Sequence, residues 1–138
     1  MSTPKPPMSL SLTWDGDQRF TGRVGDLSMV LDGRVEAGPS PMHALAFGLA
    51  GCMGIDVATI LQRGRHPLQS LEVTLVARRA DGPPSRFLAF ELRYVIVGDV
   101  PRDAVERAIA LSREKYCSVW HSLREDITLS VEYEVRPS

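Results

Sequence analysis

The 138-residue sequence lacks most of the motifs that assign a chain quickly. It has no glycine-rich phosphate loop, no G-x-G-x-x-G dinucleotide fingerprint and no G-x-S-x-G elbow, so cofactor-dependent chemistry has no motif to rest on and no cofactor is expected. Net charge is nearly absent as well. Sixteen Lys+Arg against 17 Asp+Glu leave −1, which gives no basic footprint for nucleic acid or an anionic membrane. The expected partner is a small molecule or a second copy of the chain. Met1 to Ser9 carry three prolines, one lysine and no apolar core segment, and read as a disordered lead-in rather than a signal or transit peptide. The longest apolar run, around Leu45 to Ile55, is glycine-rich, ends at Asp56 and reads as too short to span a bilayer. A soluble, cytoplasmic protein is expected.

Cysteine is scarce too: there are two, Cys52 and Cys117. In a reducing compartment a pair argues against a purely structural disulfide and leaves catalysis, metal binding or plain burial. Each falls in an expected helix, with a two-stranded stretch between them, so only folding can bring them together. A thiol and a resolving partner in one site are the minimum equipment for disulfide-cycling chemistry.

With 43% hydrophobic residues the chain is long enough for one domain with a real core, read as residues 10–138. Leu10 to Trp14, Arg19 to Val24 and Leu27 to Leu31 alternate apolar and polar residues around Asp15-Gly16-Asp17 and Gly25-Asp26, the pattern of an antiparallel meander. Ser40 then reads as an N-cap and Pro41 as the first residue of a helix running to about Arg63. That helix is apolar on nearly every face, so protein should surround it. Gly48, Gly51 and Gly54 recur along it, which implies close backbone approach by a sheet or a twin helix. After Gly64-Arg65-His66-Pro67, strands are expected at Leu71 to Ala77 and Phe87 to Val97, joined by a turn at Asp81-Gly82-Pro83-Pro84. A helix over Pro101 to Tyr116 and a final strand over Ile127 to Val135 complete a βββ-α-ββ-α-β order, α+β with antiparallel sheets.

A peroxide-reducing site needs a thiolate, a cation to hold it, a second thiol and an apolar pocket. Cys52 lies about three turns into its helix, too deep for the helix terminus to lower its pKa much. Arg34, in the loop before the helix, is the best candidate for the cation because a guanidinium stays charged when buried, with Arg19 and Arg23 on the meander as weaker alternatives. Asp56, one turn after Cys52, would disfavour a thiolate and reads as a structural group bonding backbone or a base. Zinc is the competing use of the same thiols: Cys117 and His121 share the i, i+4 spacing, with His43 and Cys52 on the other helix. His43 and Cys52 lie on opposite sides of their helix, so no metal site is assigned.

Ala50-Gly51-Cys52, Ile55-Asp56-Val57, Leu71-Glu72-Val73 and Glu114-Lys115-Tyr116-Cys117-Ser118-Val119, in this order after Pro41, resemble the OsmC/Ohr family of thiol-dependent peroxidases. The resemblance runs from Trp14 onward. It implies an intertwined homodimer with two buried central helices and two sites lined by both subunits. It further implies Cys52 as peroxidatic thiol, Cys117 as resolving thiol, organic hydroperoxide as substrate, and a lipoylated protein or thioredoxin as dithiol reductant, in oxidative-stress defence. Met42 stands where such peroxidases carry a Glu after the helix-starting proline, and His43 follows it. Met42, His43, Leu45, Leu49 and Trp120 are the expected substrate-binding residues. The alternative is a non-enzymatic crevice for a hydrophobic small molecule, with Cys52 only part of its lining.

Overall fold

A computed structural model describes residues 3–138; Met1 and Ser2 of the lead-in lie outside them. The described part of the lead-in is exposed and has no regular structure. The chain forms two compact units, Met1–Leu45 and Ala46–Ser138.

The first unit is a three-stranded antiparallel meander, β1 (Ser11–Gly16), β2 (Arg19–Val24) and β3 (Leu27–Asp32). Tight two-residue turns demand positive φ, supplied by Gly16 (106°) and Asp17 (50°) before β2 and by Gly25 (56°) before β3. The register aligns Leu12, Gly22 and Met29 in one row, and Trp14, Phe20 and Leu31 in the next. Because side chains alternate, those rows, together with Val24 and Leu27, make one sheet face wholly apolar. Thr13, Asp15, Thr21, Arg23 and Ser28 make the other polar. Among the described residues of this unit nothing covers the apolar face, with Trp14 63% and Leu27 74% exposed.

The loop after β3 is organised by a buried carboxylate. Asp32 accepts hydrogen bonds from the backbone N–H groups of Arg34 (2.9 Å), Glu36 (3.3 Å) and Ala37 (2.9 Å) and from Arg19 Nε (3.2 Å). These donors, the Ala37 and Arg34 amides foremost, outweigh desolvation and hold its carboxyl down at about 2. The loop delivers the chain to Ser40, which caps the first helix as expected. Its Oγ accepts from His43 N–H (3.1 Å), while His43 Nδ1 accepts from Ser40 N–H (3.2 Å). This is a reciprocal capping box with histidine in the usual Glu/Gln place.

Helix α1 spans Pro41–Arg63. By length and composition its 23 residues are enough to cross a membrane, which corrects the reading of the apolar run as too short. Within Ala46–Ser138, Leu49, Met53, Val57 and Leu61 form its buried stripe. The all-round covering expected for this helix is not present among the described residues of Ala46–Ser138. Phe47 and Ile55 are each 68% exposed, and a Cβ added at Gly48 or Gly51 would meet nothing within 4 Å. Only Gly54 faces a close neighbour, Val73 Cγ2, 3.2 Å from where its Cβ would be.

The second sheet, β4 (Leu68–Arg79), β5 (Phe87–Gly98) and β6 (Thr128–Arg136), has the order β4-β5-β6. β4 is longer at both ends than the Leu71 to Ala77 that alternation suggested, while β5 begins at Phe87 as expected. Phe90, Leu92, Tyr94 and Ile96 alternate inward on β5, aligned with Ala77, Leu75, Val73 and Leu71 on β4 and with Leu129, Val131, Tyr133 and Val135 on β6. With the α1 stripe and Val105 and Ala108 of α2 (Arg102–Leu111), they form the core. Each fully buried Leu or Phe contributes about 1.5–3 kcal/mol. The expectation of antiparallel sheets fails at one place: β6 runs parallel to β5. The cause is the connection through α2, long enough to return the chain to the start of β5 instead of turning back as a hairpin.

The candidate dithiol site

The expected helix over Pro101 to Tyr116 is α-helical only to Leu111; Ser112–Tyr116 form a π-helical turn closed by Cys117 N–H on the Ser112 carbonyl (2.8 Å). The wider turn shifts the chain by one residue relative to a continuous α-helix. It has two effects. Ser112 points inward, fully buried, and Cys117 leaves the helix in an extended conformation (φ −75°, ψ 96°). Cys117 then caps the short helix α3 (Ser118–His121), its Sγ accepting from the Trp120 N–H at 3.4 Å.

The folded chain brings the two cysteines together. The Cys52 and Cys117 sulfurs and an Asp56 carboxylate oxygen all lie within 4.8 Å of one another. Cys52 and Asp56 share a face because four residues advance just over one helical turn. Both cysteines are free thiols. Burial pushes the Cys117 thiol up to about 11, and the neighbouring Cys52 and Asp56 add to that, against the Trp120 N–H, which favours the thiolate. Asp56 accepts from the hydroxyl of Ser112 at 2.8 Å. That partner is neither the backbone nor the base expected of it.

Beneath this group lies Tyr94, fully buried, whose hydroxyl has no hydrogen-bond partner among the described residues. Desolvation raises its pKa, and the charges of Cys117 and Asp56 raise it further. On the other side of Asp56 a cleft of about 500 Å³ opens between α1 and the π turn, lined by Ile55, Thr59, Ile60, Arg63, Leu111 and Tyr116. Neither Ser112 nor Tyr94 carried a sequence signal: one is an ordinary helix serine, the other one more inward residue of an alternating strand.

The other expected site residues have definite places. Arg34 Nε pairs with Asp17 at 2.8 Å, its side chain 54% exposed. His43 is engaged by Ser40, Met42 is half-buried and Leu45 exposed. Leu49 is fully buried in the core, and Trp120 is half-buried beside the Cys117 sulfur. Of the zinc donors considered, His121 donates from Nε2 to the Arg113 carbonyl (3.0 Å); the donors that converge are two thiols and a carboxylate.

Comparison with known proteins bears on the fold as a whole. The family model described as OsmC-like protein matches residues 32–132. Protein YhfA of Escherichia coli K12 is 35% identical over 131 residues, 93% of this chain and 98% of that protein. A crystal structure of a hypothetical protein from Aquifex aeolicus superposes with a TM-score of 0.90 at 28% identity, covering 97% and 99% of the two chains. A crystal structure from Legionella pneumophila, described as an organic hydroperoxide resistance protein OsmC, shares the fold at a TM-score of 0.71 and 16% identity, covering 96% and 99%.

Proposed function

The chain belongs to the OsmC-like protein family, and from that premise we propose that it is a cytoplasmic thiol-dependent peroxidase reducing organic hydroperoxides. The observation that carries this reading is the convergence of Cys52 and Cys117. The two sulfurs lie within 4.8 Å of one another, a proximity that supports their closing to the ~2.05 Å of a disulfide during turnover. The Cys52 thiolate attacks the peroxide oxygen, the O–O bond breaks, an alcohol leaves and the sulfur becomes a sulfenic acid. Cys117 condenses with it, water departs, and an external dithiol such as a lipoylated protein or thioredoxin reduces the disulfide.

Arg34 is the cation assigned to the Cys52 thiolate. Its bond to Asp17 is an exposed pair of the kind worth about 1 kcal/mol or less. Met42, His43, Leu45 and Trp120 are the residues assigned to the organic group of the substrate; Leu49, expected among them, is fully buried in the core and does not reach it. The working unit in this reading is a homodimer. The glycine-lined Phe47–Ile55 side of α1 and the apolar face of the first sheet are surfaces that a second copy would cover.

Turnover of an organic hydroperoxide with a dithiol reductant tests the assignment. Cys52→Ser should be inactive, and Cys117→Ser should consume about one equivalent of peroxide and stop. Equal activity of wild type and Cys52→Ser would remove the mechanism.

A further inference from the structure

The resolving thiol has a difficulty that the two-cysteine scheme leaves open. With its pKa near 11, only about one Cys117 in ten thousand is ionised at pH 7, yet the sulfur must attack as a thiolate. A group must take its proton as the bond forms. Resting on the peroxidase reading, we propose that Asp56 is that group: it accepts the Cys117 proton and delivers it to the oxygen leaving Cys52.

The geometry supplies each part of the step. A carboxylate oxygen of Asp56 lies within 4.8 Å of both sulfurs, the donor and the site of departure. The Ser112 hydroxyl, 2.8 Å from Asp56 Oδ2, fixes the orientation of the carboxylate. The cleft lined by Ile55, Thr59 and Tyr116 reaches Asp56 from outside, so the group can exchange protons with solvent between turnovers. The titratable and charged groups facing it are Cys52, Cys117 and Tyr94 on the inner side and Arg63 and Tyr116 along the cleft. Among them Tyr94 cannot serve as the base, because its phenol is pushed up further from neutrality.

In the step itself the Cys117 S–H proton passes to the carboxylate and the Cys117 sulfur bonds to the Cys52 sulfur. The Cys52 S–O bond breaks, and the departing oxygen takes the proton from Asp56 and leaves as water. The carboxylate is restored. One sulfur is oxidised and the other reduced by the same amount, so no further reactant is needed. Burial above all, with smaller contributions from Cys52 and Asp56, keeps Cys117 protonated until a sulfenic acid is present.

The test separates the two chemical steps by rapid mixing of reduced protein with one equivalent of an organic hydroperoxide. Sulfenic acid is trapped with dimedone, and disulfide is followed by intact mass. In Asp56→Asn, sulfenic acid should form at a rate within about threefold of wild type while the disulfide forms about 100-fold more slowly, the range of general acid–base catalysis. Asp56→Glu should recover most of that loss. In wild type the disulfide rate should change little between pH 6 and 8; in Asp56→Asn it should rise about tenfold per pH unit, as direct ionisation of Cys117 takes over. The wild-type profile needs no variant: a tenfold rise per unit there overturns the proposal, as does an unslowed disulfide step in Asp56→Asn. Absence of any sulfenic acid or disulfide in wild type would overturn the peroxidase reading, and this proposal with it.

Discussion

The two three-stranded sheets have the same alternation and opposite fates. In the second, the inward residues of β5 meet the buried stripe of α1 and the inner side of α2, and Tyr94 and Ile96 are fully buried. In the first, the equivalent face carries Leu12, Trp14, Phe20, Val24, Leu27 and Met29, and all are exposed. Alternation states that a face wants covering; it does not state by what. The second sheet finds its cover within Ala46–Ser138, whereas the first has no helix in its own unit to spare, since α1 only begins at Pro41. Exposed apolar faces of this kind are characteristic of interaction surfaces.

Substitutions on the two faces can break this comparison. The largest effect should come from Leu92→Ala on β5, where a cavity in a closed core costs about 2–5 kcal/mol in denaturant unfolding. Next is Met29→Lys, in the middle of the exposed face. If that face meets only water, stability should change by less than about 0.5 kcal/mol; if a second copy covers it, a lone charge enters the interface. We expect sedimentation to show dissociation at least about 100-fold tighter in wild type than in Met29→Lys. An unchanged monomeric mass for both would remove the dimer from the account.

A third effect concerns the loop that leads from the first sheet to α1. Asp32 has a folded pKa of about 2, below its ordinary 3.8, so its ionised form stabilises the fold. That contribution is fully present above the ordinary value and is lost as pH falls through about 2. Asp32→Asn should therefore be less stable than wild type at pH 6, and the difference should close as pH approaches 2. A gap that persists unchanged to pH 2 would contradict the ionic origin. The smallest effect belongs to the polar face of the second sheet. Arg93 bridges Glu132 and Glu134 in the open, and Arg93→Gln should shift stability by less than about 0.5 kcal/mol.

Much of this was legible from residue patterns. The strand positions followed alternation, and Ser40-Pro41 placed the start of α1 because a hydroxyl cap before a proline suits few other structures. Cys52 was visible as a reactive candidate through its partner Cys117. What stayed hidden depends on through-space arrangement. The parallel pairing of β6 follows from where α2 delivers the chain, which no local pattern encodes. The π turn over Ser112–Tyr116 keeps helical periodicity nearly intact, so Cys117 looked like a helix end and Ser112 drew no notice. His43 was read as a substrate contact; its engagement with Ser40 needs the cap geometry to be seen. Asp56 was placed in the interior, but its partner and its approach to both sulfurs come from elements far apart in sequence.

The central claim is that Cys52 and Cys117 form a working redox pair, and intact mass tests it most directly. Fully reduced protein should receive one equivalent of an organic hydroperoxide and be measured without reductant. The account predicts a loss of about two mass units in wild type, the two thiol hydrogens of one disulfide, and no such loss in Cys52→Ser. An unchanged wild-type mass with both thiols still open to alkylation would contradict it, and would favour a crevice that binds a hydrophobic molecule without reacting.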